Sequence, residues 1–224
     1  MSPYAAQTPR EEADLALFLI NTEIARARYM SARHSASPEA ILAHTKTIDE
    51  SLERWAASMP DEYAFSTVPA SPSQKTLNGV YHRYTDRRIA RMWNGYRMGS
   101  IINATNMVVQ AVLVKTPEAL EDLATALCRQ QQMSAELCDS VPYYELLTPL
   151  TAIVAHNIIW PLYCVATASN VTARARTWAV QRMRQTSMYT ATMQGIQMAD
   201  TLARQSEVTV WEREGEIEEE SSEW

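Results

Sequence analysis

Residues 86–114 read DRRIARMWNGYRMGSIINATNMVVQAVLV, and this stretch decides the fold. Asp86 offers a side-chain cap for the helix that the following residues predict. Ile89, Trp93, Tyr96 and Ser100 recur every three or four residues and begin as one face. Beyond Ile101 the apolar residues Ile102, Met107, Val108, Val109 and Val112 occupy every side, which is the pattern of a central helix wrapped by others. At roughly 1.5 Å per residue such a helix spans about 40 Å, a length that leaves room for a kink. Gly95 and Gly99 lie about one turn apart and predict the close approach of a second helix. Arg91 and Arg97 flank that spacing, so it does not belong to a membrane helix.

The helical pattern extends outward in both directions. Thr8-Pro9-Arg10-Glu11 is a capping box with Pro at the first helical position, and helix is predicted towards Arg33. Ser37-Pro38-Glu39 opens a second helix, with Ile41, Ile48, Leu52 and Trp55 on one face until Pro60 stops it. From Pro60 to Gly79, Pro69, Pro72 and the serines around them predict a long surface loop. Thr116-Pro117-Glu118 opens a fourth helix, and Leu120, Leu123, Leu127, Ser134, Leu137 and Val141 line one side of it. Thr148-Pro149 opens a fifth, which Pro161 must bend or end. Thr172 to about Gln205 holds one or two more, with a break expected near Gly195. Only Val208-Thr209-Val210-Trp211 reads as strand. The prediction is an all-α fold: one bundle of about six to eight helices over residues 1–205, with a long Pro/Ser loop, then an acidic tail over residues 206–224.

Composition narrows the function. The 224 residues are 46% apolar and 21% charged, a globular balance. Five glycines in the whole chain form neither G-x-G-x-x-G nor G-x-x-x-x-G-K, which excludes a glycine-built phosphate cradle. The net charge of -6 is uneven, because residues 207–224 hold eight Glu and one Arg while the remainder is almost neutral. A neutral body has no basic stripe with which to displace counterions, so direct DNA binding is not expected. Three cysteines, Cys128, Cys138 and Cys164, are too few and too far apart for a disulfide framework or a zinc site. Buried thiols in a reducing compartment fit them, which points to the cytoplasm or nucleus. The N-terminal Met1-Ser2-Pro3-Tyr4 run does not read as a signal peptide. Residues 146–173 contain no Asp, Glu, Lys or Arg, yet Pro149, His156, Asn157, Pro161 and Asn170 interrupt them. Those residues are costly in hydrocarbon, so a helix in a protein core is expected there, not a membrane span.

Several strings resemble those of the fungal-specific transcription-factor domain, the helical regulatory region found behind binuclear zinc-cluster DNA-binding motifs. Leu52, Trp55, Pro60, Glu62 and Tyr63, within residues 48–68, are similar to its Leu-x-x-Trp-x-x-x-Leu-Pro-x-x-Trp segment. Tyr81-His82-Arg83-Tyr84 and Ile89-Ala90-Arg91-Met92-Trp93-Asn94-Gly95-Tyr96-Arg97 resemble its Tyr-His-x-Tyr and Ile-Ala-x-x-Trp-Asn-x-Tyr-Arg strings. Leu137-Cys138-Asp139-Ser140-Val141-Pro142-Tyr143 resembles its Ile-Cys-x-Ser-Val-Pro-Tyr, and Trp160-Pro161-Leu162-Tyr163 its Trp-Pro-Leu-Tyr. Gly195-Ile196 through Ala199 resembles its closing Gly-Ile-x-x-Ala turn. The resemblance runs over about residues 45–203 and implies the C-terminal half of such a region. The six-cysteine cluster, its basic linker and its coiled coil are missing from these residues, so the DNA reading of that family is not implied here.

The residues that could carry chemistry fall into three groups. His82, Tyr84 and Asp86 precede the central helix; they are a cap and a loop histidine, or else an acid–base cluster facing a pocket. His156 lies four residues before Trp160 and shares its helix face, either as a core residue or beside a ligand ring that the Trp holds. Arg97, if buried, requires a carboxylate, with Glu145 and Asp139 as candidates. Tyr84, Trp93, Tyr96, Arg97, Tyr143, Tyr144, Trp160 and Tyr163 would line a ligand pocket, or else pack as core. Without a metal-binding histidine pair, a G-x-S-x-G elbow or a cofactor motif, no metal and no cofactor are expected.

Two functions follow. One is a non-DNA-binding helical module that binds a small apolar metabolite or a partner protein. It would act by covering the apolar face that a halved array leaves, a homodimer being one way to do so. Its acidic tail, with Trp211, Ile217 and Trp224 among the glutamates, has the composition of an activation segment. The other is a cofactor-independent isomerase or cyclase of fungal secondary metabolism, with His82, Asp86 and His156 as catalytic groups.

Overall fold

The structure, a computed structural model, describes residues 9–71, 74–146 and 151–204. Its elements are α1 (Pro9–Arg33), α2 (Pro38–Ala57), a 3-10 turn (Asp61–Tyr63), β1 (Ser66–Pro69), β2 (Val80–Arg83), α3 (Arg87–Val114), α4 (Pro117–Glu145), α5 (Ala152–Thr167) and α6 (Ala173–Tyr189). A last helix, α7, covers residues 193–204. The fold is all-α with one small hairpin. The acidic tail and the strand-like run at Val208–Trp211 lie outside the described residues, as do Thr8, Thr148 and Pro149.

Side-chain caps set the helix starts. Ser37 accepts from Ala40 N, Thr116 from Ala119 N and Thr172 from Ala175 N, each using oxygen to satisfy an amide that the first turn leaves unpaired. Asp86 takes two, from Arg88 N at 2.6 Å and Ile89 N at 3.1 Å. α5 is capped by Thr151, and Thr148-Pro149, expected to open it, lie outside the described residues. It runs on through Pro161 to Thr167, and α4 likewise contains Pro142. The chain turns at residues 190–192, ahead of Gly195, to begin α7.

α3 is the axis. α2 and α4 both pack antiparallel to it, Thr45 meeting Asn103 while Trp55 meets Trp93, and Gln130 meeting Thr105 while Glu136 meets Arg97; Lys46 of α2 also pairs with Asp122 of α4. α1 runs parallel to α3 and seats on its glycines: a Cβ at Gly95 would lie 3.3 Å from Leu17 Cδ2, and one at Gly99 2.6 Å from Asn21 Oδ1. The expectation of a close helix contact at this spacing is met by α1. The expectation of an apolar wrap beyond Ile101 is met only in part: Met107 is buried and Ile102 and Val108 pack against core, but Val109 and Val112 are exposed. Asn103, Asn106 and Gln110 face inward, with Gln110 bonded to Ser31 Oγ, while Val109, Val112 and Leu113 are exposed. Beside these amides Ala104, Met107 and Ala111 pack with Leu42 of α2 and with Ala119 and Ala126 of α4 as a second apolar cluster, and no described element covers Val109, Val112 and Leu113.

The predicted loop after Pro60 is in part a hairpin. β1 and β2 pair antiparallel, with Ser66 opposite Arg83, Thr67 opposite His82, Val68 opposite Tyr81 and Pro69 opposite Val80. Four-residue strands are too short for alternation to register, and Pro69 sits at the end of β1, where a missing N–H is tolerated. The hairpin directs His82 and Phe65 at α3 and α4. α5 carries Ile158, Leu162 and Val165 fully buried in the main core, so the uncharged segment is a core helix. No helix among the described residues is long and apolar enough to cross a membrane.

Candidate functional site

The most polar point inside the bundle is Arg97, whose side chain is 0% exposed. Its Nε donates to Glu136 Oε2 at 3.0 Å, and its Nη1 to Tyr84 Oη at 2.7 Å and Asn94 Oδ1 at 3.2 Å. The guanidinium also lies over Phe65, 4.6 Å from the ring centroid, and 5.7 Å from that of Trp93. Such a stack keeps a desolvated cation in a favourable field on its unbonded faces. The carboxylate is therefore Glu136, not Glu145 or Asp139. Glu145 pairs with Arg182, and Asp139 accepts from Asn78 Nδ2 at 2.9 Å. Antiparallel packing brings Glu136, one turn before Asp139 and Ser140 on α4, level with Arg97.

Several predicted pocket residues meet around this cation, as core. Tyr84 Oη lies 3.3 Å from His82 Nδ1, Phe65 packs 4.4 Å from the His82 ring, and Tyr143 meets Tyr84 edge-on at 5.1 Å. Trp93 donates Nε1 to Tyr63 O at 2.8 Å, and Tyr96 stacks on Trp55 at 5.5 Å. Burial, with Arg97 nearby, brings His82 down to about 3, so its imidazole is neutral at physiological pH. Burial also pushes the Tyr84 and Tyr144 hydroxyls up. It raises Asp139 to about 6, although the Asn78 hydrogen bond and Arg97 oppose that shift.

The other candidates lie elsewhere. Asp86 is spent on the cap of α3; burial would raise its carboxyl, but the two amide bonds and the charges of Arg10 and Arg88 bring it below its ordinary value. His156 is exposed, not on a core face. Its ring lies 6.1 Å from Trp160, which in turn lies 5.9 Å from Tyr163. His156 and Trp160 border a shallow groove of about 240 Å³ with Arg91, Asn94, Met98 and Tyr144. The catalytic trio is thus split between a buried neutral histidine, a capping carboxylate and an open groove. Among the described residues no three His, Cys, Asp or Glu side chains cluster as a metal site.

Two surface features escaped the sequence reading. Along α1, Leu15, Phe18, Leu19 and Tyr29 are 46%, 66%, 56% and 62% exposed on one helical stripe. Their spacing was legible, but Leu17 and Ile24 on the other side satisfy the same periodicity, and only the fold shows which set faces out. The second is an open groove of about 560 Å³ between the starts of α1, α3 and α5, lined by Arg10, Asp86, Arg87, Arg88 and Arg91 beside Thr151. The Arg87-Arg88 pair is plain in the sequence, whereas Arg10 joins it only through the packing of α1 on α3. No family model, curated protein or solved structure matches this chain.

Proposed function

We propose that the chain is a non-DNA-binding regulatory module of the kind its strings resemble, the C-terminal half of a fungal transcription-factor regulatory region. It acts through protein contact, and the occupant of its apolar face is a second copy of itself. The observation that carries this reading is the exposed stripe on α1, where four large apolar side chains stand in water with no described element over them. Charge supplies the choice of occupant. The first turn of α1 holds Glu11 and Glu12 and its last turn Arg33, so two copies related by a twofold axis near Thr22 set acid against base at both ends. The same register lays Leu15 against Tyr29 of the partner and Leu19 against its Ala25. A catalytic reading has less support, since His82 is neutral inside a packed core and Asp86 is a cap. An apolar-metabolite site also has less, because the groove at Trp160 falls below the roughly 300–1,000 Å³ of ordinary ligand pockets.

Burying the four exposed side chains of each copy contributes about 1.5 kcal/mol apiece, roughly 12 kcal/mol for the pair, and association costs about half of that, so a net of about 6 kcal/mol, a Kd of about tens of micromolar, is expected. Sedimentation velocity from about 1 to 300 μM tests it. The wild-type chain should shift from monomer to dimer, and Phe18→Glu should abolish the shift with an unchanged far-UV spectrum. Arg33→Glu should weaken association, and adding Glu11→Arg should restore it. A wild-type chain that stays monomeric throughout, or a Phe18→Glu variant that still dimerises, overturns the proposal.

A further inference from the structure

The groove where α1, α3 and α5 begin is built against the usual electrostatics of a helix start. The first turn of a helix favours acids, because its unpaired amides and aligned peptide dipoles make it positive. α3 has no acid in its first turn and instead places Arg87 and Arg88 there, with Arg91 one turn on from Arg87. Arg87 and Arg91 therefore repel across one helix face as well. α5 opens into the same groove with an acid-free first turn, and Arg10 of α1 reaches it from the third side.

One carboxylate stands against these four cations. Asp86 binds the amides of Arg88 and Ile89 with Oδ1, and its Oδ2 lies 3.8 Å from Arg10 Nη1. Arg88 lies within electrostatic reach of Asp86, while Arg87 and Arg91 have no carboxylate partner among the described residues. Arg10 lines the groove with a side chain 22% exposed, its Nη1 3.8 Å from Asp86 Oδ2. Local arrangements that oppose stability and recur on one surface mark places selected for something other than folding. A compact dianion offsets the repulsion among the guanidiniums and complements the acid-free start of α5.

We infer that this groove binds the phosphate group of a small phosphorylated ligand, held by Arg87 and Arg91 with Arg10 closing from the side. At about 560 Å³ the groove accommodates a phosphate with an attached organic group. The arginine fork, not a glycine loop, supplies the recognition, which accords with the absence of a glycine-built cradle in the sequence. The inference stands apart from self-association through α1, because its residues are not on the α1 apolar stripe.

The test titrates the full chain with inorganic phosphate and pyrophosphate by calorimetry at fixed ionic strength and pH 7.5, beside thermal melts without ligand. Wild type should bind pyrophosphate more tightly than phosphate. The Arg87→Ala/Arg91→Ala variant should lose at least tenfold in affinity, while its melting temperature without ligand stays level or rises as the repulsion is relieved. Arg87→Lys/Arg91→Lys should fall between, having the charge without the fork. Arg204→Ala, an exposed control on α7, should bind as wild type does. The inference fails if neither anion binds below about 10 mM, if Arg204→Ala weakens binding as much as the double variant does, or if affinity is unchanged in the double variant. It also fails if the double variant melts markedly lower, since the arginines would then be holding the fold.

Discussion

Glu136→Gln is the perturbation that interrogates the buried cation most directly. It keeps the shape of the side chain and an acceptor for Arg97 Nε but removes the one carboxylate among the described residues that is bonded to this fully buried guanidinium. Breaking a buried pair by neutralising one partner costs about 3–5 kcal/mol, because the survivor is left charged in low dielectric. Glu136 is a quarter exposed and the Phe65 face remains under the cation, so the expected cost is smaller, about 2–3 kcal/mol. Arg97→Met removes the charge itself but strands Asn94 Oδ1 and takes a donor from Tyr84, a loss of about 2–3 kcal/mol as well. The two costs are not independent. With Met at position 97, Glu136 turns to water and its neutralisation loses nothing more, so the double variant should be no less stable than Arg97→Met alone. Equilibrium urea unfolding at pH 7, followed by far-UV circular dichroism, gives all four corners of the cycle. Additivity within about 0.5 kcal/mol, or a Glu136→Gln cost below that figure, would refute the reasoning.

Three further outcomes follow from the buried titratable groups. His82 falls to about 3 from an ordinary 6.5, so the unfolded chain takes up its proton first as pH drops, and roughly 4 kcal/mol of stability present above pH 6.5 is lost on the way down to pH 3. Asp139 is raised from 3.8 to about 6, which has the opposite sign: stability falls as pH rises through that window, by roughly 3 kcal/mol. The two slopes oppose between about pH 4 and 6, so the urea midpoint should be nearly flat there and drop steeply only below it; a steady decline from pH 6.5 downward would contradict these assignments. Asp139→Asn keeps the acceptor for Asn78 and removes the desolvated charge, so it should stabilise the fold at pH 7 by about 1–2 kcal/mol, and a lower midpoint in urea would count against it. Burial pushes the Cys164 thiol up to about 11 and the buried Cys138 thiol higher still, whereas Cys128 is exposed; a disulfide reagent at pH 7.5 should label one thiol per native chain quickly and three only after unfolding.

The bundle was legible because its helix starts are written in cap residues whose effect is local. Ser37, Asp86 and Thr116 each accept the amide that their position predicts, and no tertiary information is needed for that. Gly95 and Gly99 announced a close helix contact for the same reason, since a missing Cβ is a property of the position itself. The hairpin was not legible, because its strands are held by tertiary packing of Phe65 and His82 against the bundle and not by any alternation of their own. The far end of α3 was misread in part because periodicity shows that a face is uniform without showing which face is covered. There Gln110 and Asn103 find partners on α1 and α2 and are buried beside Met107, while Val109, Val112 and Leu113 face out.

The same distinction governs the site. Tyr84, Trp93, Asn94 and Arg97, the residues that carry the resemblance most strongly, converge in space on one guanidinium and its aromatic faces. Read as letters, an arginine among tyrosines and tryptophans suggests a ligand clamp. In the fold most polar atoms of that set are already engaged by a neighbour, Arg97 Nη2 and Asn94 Nδ2 being buried without a hydrogen-bond partner. A buried cation needs all its partners at once, and a single substitution among them leaves a charge or a carbonyl unpaired. These residues encode the scaffold. If recognition resides on the outer stripe of α1 and in the arginine groove, as proposed, variation at Phe18, Arg87 and Arg91 should alter binding while leaving the unfolding free energy nearly untouched.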